Sequence, residues 1–154
     1  MFSESFYVIC QNIRSLHNVG SIFRTADAAA ITKLYLGGYT PAPPRDEISK
    51  VALGAELSVP WESHAHVWRL IEKLRAESVQ IVALENNIES VSIYEFKPKF
   101  PLALVVGNEV GGLSSAILQR ADSVVHLPMH GKKESLNVSV AFGIATYELN
   151  KFRK

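Results

Sequence analysis

The sequence predicts an α/β fold, a mainly parallel sheet with helices on both faces. Two observations carry that expectation. Short runs such as Leu102-Ala103-Leu104-Val105-Val106 are apolar at every position, which suits strands covered on both sides rather than strands with one wet face. Such runs alternate along the chain with segments of helical periodicity, the order of βαβ units. A chain of 154 residues is long enough for a layered core of this kind and is expected to form one domain over 1–154.

The elements follow in order. The candidate strands are 6–10, 33–37, 79–84, 102–106 and 123–127. The candidate helices are 19–29, 47–54, 63–76, 113–120 and 136–150. Cys10 ends the first apolar run and reads as a small core residue; as the single cysteine it excludes an internal disulfide. Pro41-Ala42-Pro43-Pro44 cannot continue a helix or a central strand, so it marks an exposed loop ending in Arg45. In 63–76, Val67, Leu70, Ile71 and Leu74 share one face, and the helix is expected to pack on the sheet. His64 and His66 stand two apart and do not share a helix face, so no metal site is expected.

The last helix is different. Val138, Val140, Ala141, Phe142, Ile144, Ala145, Tyr147 and Leu149 cover most of its circumference and leave a narrow stripe of Ser139, Gly143 and Thr146. A helix so apolar is buried on more than one side. That calls for a second subunit, with the small-residue stripe as the place where two backbones approach.

Sixteen basic residues against fifteen acidic ones leave a charge of +1, so any grip on nucleic acid has to come from local patches. The positive spots are Arg14, Arg24, Arg45, Lys50, Lys97 with Lys99, Lys132 with Lys133, and the tail Lys151, Arg153 and Lys154. Each, taken alone, reads as a solvated surface charge. No apolar run approaches the length of a signal core or membrane span. A cytoplasmic location is expected, or an organelle matrix if a transit segment has been removed.

Ligands of parallel sheets sit beyond the carboxyl ends of the strands, which directs attention to three segments. The first runs from Asn12 to Asp27. Asn18 is placed to cap the following helix, and Arg24 lies off its apolar stripe; read structurally, Arg24 pairs with Asp27 three residues on. The second, Gly107-Asn108-Glu109-Val110-Gly111-Gly112-Leu113-Ser114, follows the most apolar strand. Its glycines allow a sharp turn and close approach to a ligand, although such a joint also occurs without one. It has neither a dinucleotide fingerprint nor a phosphate-loop Lys-Ser/Thr. The third runs from Leu127 to Ser139, with Ser135 as a helix cap and Asn137 in the first turn.

In this order the three segments resemble the SpoU branch of the SPOUT superfamily, the tRNA and rRNA ribose 2′-O-methyltransferases. The likeness rests on Asn18, Gly20 and Arg24; on Gly107, Glu109 and Gly111, one residue tighter than Gly112 would give; and on Pro128, Met129, Ser135, Leu136 and Asn137. It runs from about residue 6 to residue 149. The resemblance implies a trefoil knot near the C-terminus, a homodimer, no metal, and S-adenosylmethionine as cofactor. It implies an RNA substrate, with tRNA ranked ahead of rRNA. Cofactor contacts are implied for Leu84, Glu85, Gly107, Asn108, Glu109, Leu127, Met129, Ser135 and Leu136. Arg24 becomes the central catalytic residue, Asn18 orients it or the ribose, Ser135 and Asn137 complete the pocket, and Glu109 holds Arg24 or Asn18 in place.

One position departs from the family. Ala30 stands where a glycine usually ends the first helix, at a cost of roughly 1 kcal/mol if that residue is left-handed. The chain is also expected to lack the extra RNA-binding domain of some members. Two rivals accompany the reading. A catalytically inactive RNA-binding or assembly module should have lost Arg24, Ser135 or Asn137, and all are present. A cofactor-binding domain acting on a small molecule would leave RNA unlabelled.

Overall fold

Alternate residues of each central strand feed two different cores. In the computed structural model, which describes residues 4–154, β1 (Phe6–Gln11) sends Phe6, Val8 and Cys10 to one core and Ile9 to the other. β2 (Lys33–Gly37) does the same with Leu34 and Leu36 against Tyr35. β6 (Leu102–Val106), buried at all five positions, divides Leu102, Leu104 and Val106 from Ala103 and Val105. With side chains alternating across the pleat, continuous apolarity is what a sheet covered on both faces requires.

The first core is closed by α1 (Leu16–Ala28), α2 (Asp46–Ala52), α3 (Ala55–Ser58) and α6 (Val138–Asn150). The second is closed by α4 (Val67–Ala76) and α5 (Ser115–Leu118). With β3 (Trp61–His64), β4 (Gln80–Leu84), β5 (Val91–Ser92) and β7 (Ser123–His126), the sheet has the order β3-β2-β1-β6-β4-β7-β5. Every pairing is parallel. All strand-end loops that could hold a ligand therefore open at one end of the sheet.

Several boundaries differ from the sequence expectation. The segment 63–76 is helical only from Val67, because 61–64 forms edge strand β3 against β2. The expected helix 47–54 breaks into α2 and α3 where Leu53 and Gly54 take left-handed conformations, with φ of 53° and 93°. The expected helix 113–120 contracts to α5. Asn18 does not cap α1: Ser15 does, its side chain accepting the Asn18 N–H at 3.1 Å. Ser135 does not cap α6 either. Asn137 is the cap, its Oδ1 accepting from the N–H groups of Ser139 at 2.8 Å and Val140 at 3.4 Å.

The C-terminus of α1 shows how the chain tolerates Ala30. Its φ is 56°, the left-handed region. The Ala30 N–H donates to the Asp27 carbonyl and the Ile31 N–H to the Ala26 carbonyl, the paired bonds of a Schellman ending that ordinarily uses glycine. Arg153 then donates from Nη1 to the Ala30 carbonyl at 2.8 Å, and Asn150 from Nδ2 to the Ala29 carbonyl at 3.2 Å. The C-terminal segment thus satisfies carbonyls that a helix end leaves open, and places a cation at the negative end of the helix dipole.

Gly143 and Thr146 of the small-residue stripe of α6 face into the chain, while Ser139 stays part-exposed at the helix start. Ser139 Oγ bonds the capping Asn137 Oδ1 at 2.6 Å, a side chain at Gly143 would meet Thr25 Cγ2 of α1 at 3.6 Å, and Thr146 is fully buried. The outward side carries Val140, Ile144 and Tyr147, each exposed. At spacings of four and three they form one stripe.

Candidate active site

After β6 the backbone reverses through a turn organised by one side chain. Asn108 Oδ1 accepts from the N–H groups of Val110 at 2.8 Å and Gly111 at 2.9 Å, while its Nδ2 donates to the Asn12 carbonyl at 2.8 Å and the Tyr39 hydroxyl at 2.7 Å. Gly112 has φ of 66°, and a side chain there would strike the Glu85 carboxylate at 2.6 Å. Glu85 Oε1 accepts the adjacent Leu113 N–H at 2.8 Å. The second glycine of the motif is therefore Gly112 rather than Gly111, and the spacing is Gly-x-Glu-x-x-Gly without contraction.

Glu109 leaves this turn toward the start of α1. Its carboxylate accepts from the Arg14 N–H at 3.0 Å, the Ser15 N–H at 3.1 Å and Asn18 Nδ2 at 3.1 Å. Burial pushes its pKa upward, but the donors at Arg14, its own backbone, Ser15 and Asn18 outweigh this and hold it below the ordinary glutamate value. An anion at a helix N-terminus is also favoured by the helix dipole. Asn18 Oδ1 in turn accepts from Asn137 Nδ2 at 3.2 Å. One chain of side chains thus joins the β6 turn, α1 and the cap of α6. Cys10, fully buried beneath, has its thiol raised to about 12 by desolvation and then by Glu109, so it is inert packing.

The ends of β4, β6 and β7 border a cavity of about 800 Å³, within the usual range for small-molecule sites. All nine residues singled out for cofactor contact line it: Leu84, Glu85, Gly107, Asn108, Glu109, Leu127, Met129, Ser135 and Leu136. Arg24, Asn18 and Asn137 lie outside the lining. Arg24 is exposed on α1 and takes part in none of the ion pairs among the described residues. The expected Arg24–Asp27 pair does not form; Asp27 Oδ1 accepts instead from Ser58 Oγ at 2.9 Å.

Sequence reasoning missed part of the wall. Lys132 and Lys133 line the cavity, as do Asn86, Asn87 and His126, whose Nδ1 is 2.8 Å from Ser90 Oγ. The lysines were visible as charges, but their place in a strand-end loop was the signal that mattered. Among the described residues no group of three or more metal-ligating side chains gathers.

The sequence matches the SpoU rRNA Methylase family over residues 5–147. The chain belongs to that family. Its SpoU relatives include a tRNA (guanosine(18)-2′-O)-methyltransferase of Aquifex aeolicus, 34% identical over 98% of this chain and 71% of its own length. The 23S rRNA (guanosine-2′-O-)-methyltransferase of Escherichia coli K12 is 32% identical over 94% of this chain and 59% of its own length. The chain thus spans less than two thirds of several relatives. Among solved structures, an AdoMet-bound rRNA methyltransferase of Sinorhizobium meliloti superposes with a TM-score of 0.90 at 31% identity, covering 97% of this chain and 57% of that one. The A. aeolicus TrmH/SpoU tRNA modifying enzyme gives 0.88 at 33% identity, covering 97% and 76%.

Proposed function

We propose that the chain is an RNA ribose 2′-O-methyltransferase that takes its methyl group from S-adenosylmethionine. The observation that carries the reading is the strand-end cavity, bound through Glu109, Asn18 and Asn137 to the helix that bears Arg24. Relatives named for ribose methylation of tRNA and rRNA support it, as do family structures holding AdoMet.

The cavity suits the cofactor chemically. Leu84, Leu127, Leu136 and Ala141 offer apolar walls for a flat base, and Lys132, Lys133 and Glu134 offer charges to a zwitterion; Gly107 and Gly112 let the turn pack tightly on Leu113 and Glu85, where a side chain would collide. S-adenosylmethionine supplies a methyl group already activated on a cationic sulfur. The protein's remaining tasks are to aim a ribose hydroxyl and to manage its charge.

The amides of Asn18 and Asn137 are engaged within the protein, so we assign them to positioning. Arg24 and Ser135 keep polar atoms for substrate. Arginine does not deprotonate near neutrality. Arg24 therefore binds the adjacent phosphate and stabilises negative charge developing on the ribose oxygen.

We rank tRNA ahead of rRNA because the Aquifex tRNA enzyme aligns over 71% of its length against 59% for the E. coli rRNA enzyme. We assign a homodimer, with the exposed stripe of α6 in the interface, and a metal-independent reaction. A trefoil knot near the C-terminus belongs to the same reading, on the strength of the SpoU membership. A cytoplasmic location accords with the absence, among the described residues, of a helix long and apolar enough to cross a membrane.

The test is incubation with methyl-labelled cofactor and bulk tRNA or rRNA, followed by alkaline hydrolysis. Alkaline cleavage needs a free 2′-hydroxyl, so ribose methylation leaves the label in alkali-resistant dinucleotides. Label confined to mononucleotides, or no label in RNA, overturns the proposal.

A further inference from the structure

Tyr39 is held in place and yet exposed. The residue is 60% exposed, but both its ends are fixed. Its N–H donates to Asn12 Oδ1 at 3.1 Å, and its hydroxyl accepts from Asn108 Nδ2 at 2.7 Å. The neighbours are fixed too. Gly38 has φ of 62°, and a side chain there would collide with Asn12 Oδ1. Thr40 is buried, its hydroxyl donating to the Gly37 carbonyl at 2.7 Å and accepting the Ile13 N–H at 3.0 Å. Asn12 itself is left-handed, with φ of 55°.

The loop after β2 is thus built to display an aromatic ring at the end of the sheet where the cofactor cavity opens. Asn108, the residue that fixes the hydroxyl, also shapes the turn lining that cavity. A preorganised, exposed ring is the surface on which unpaired bases of single-stranded nucleic acid stack.

We infer that Tyr39 is a stacking platform for an unpaired base of the RNA next to the ribose being methylated. The inference rests on the proposed function and narrows its substrate class to RNA presented single-stranded at the site. The ring carries the role. The hydroxyl bond to Asn108 sets its position relative to the cavity.

The experiment has two arms. In the first, wild type, Tyr39→Ala and Tyr39→Phe are titrated by fluorescence polarisation with a labelled single-stranded oligoribonucleotide and with its duplex. In the second, KM and kcat are measured on tRNA and rRNA from cells lacking the gene, with cofactor affinity by calorimetry. The expected result is that Tyr39→Ala weakens single-strand binding and raises the RNA KM on the order of 10- to 100-fold, the loss of one base–aromatic stack. Duplex binding and cofactor affinity should stay near wild type, and Tyr39→Phe should retain most of the binding. Unchanged single-strand affinity in Tyr39→Ala overturns the inference, as does equal impairment of the two variants, which would make the hydroxyl brace the whole role. A wild type that transfers no methyl group to RNA overturns the proposed function, and the binding arm still decides the platform.

Discussion

Asn18 and Glu109 are 91 residues apart in the chain and share a 3.1 Å hydrogen bond from Nδ2 to Oε2. The same carboxylate accepts the N–H groups of Arg14 and Ser15, so one side chain fixes the start of α1 against the β6 turn. Glu109→Gln replaces an acceptor oxygen with a donor facing other donors. Because the carboxylate is exposed to solvent, at neutral pH it should cost on the order of 0.5–1 kcal/mol, measured by denaturant unfolding, and wild-type stability in the variant would refute the role. The pH dependence has a definite sign. The folded-state pKa is depressed, so the contribution is complete above the unfolded value of about 4.3 and disappears as pH falls through the folded value. Wild type should therefore lose stability more steeply than Glu109→Gln over that acid range.

Arg24 has no ion-pair partner among the described residues to lose, so its removal should be felt in chemistry rather than in folding. Arg24→Ala should keep wild-type melting temperature and cofactor affinity while methyl transfer falls about 100-fold or more, the scale of losing a key transition-state donor. Near-normal turnover would show that the charge stabilisation comes from elsewhere.

The contrast between these two residues marks what was legible beforehand. Strand positions 102–106 and the glycine turn after them were readable because full burial and sharp reversal leave strong local signatures. The cap of α1 was misassigned to Asn18 because capping residues look alike in sequence. Ser15 and Asn18 are both good caps, and it is Glu109, distant in the chain, that occupies Asn18. Edge strand β3 has no apolar run to announce it. Lys132 and Lys133 read as solvent charges until the fold placed them on the cavity wall.

Ala30 offers a test of stored strain. Its left-handed conformation costs roughly 1–2 kcal/mol, and Ala30→Gly relieves this while giving back about 0.4–1 kcal/mol to unfolded-chain entropy. The net expectation is a stabilisation of several tenths of a kcal/mol to about 1 kcal/mol, or a rise of about 1–4 °C in Tm, by calorimetry. A fall in Tm would mean that the bonds from Arg153 and Asn150 already remove the strain.

The outward stripe of α6 carries the last prediction. Val140, Ile144 and Tyr147 are large, apolar and exposed, and lie on one face, a patch that in a soluble protein marks an interaction surface. A second copy is the proposed occupant, and the helix begins at Asn137, which is tied to Asn18, so docking there is coupled to the site. Ile144→Glu puts a charge in the middle of the stripe without touching the buried side of the helix. It should leave helix content by circular dichroism unchanged, shift sedimentation velocity from dimer to monomer, and reduce methyl transfer in the same sample. Gly143→Leu, aimed at Thr25 within the chain, should instead lower stability before it affects association. A wild-type protein that sediments as a monomer at micromolar concentration with full activity would remove the case for a dimer interface on this helix.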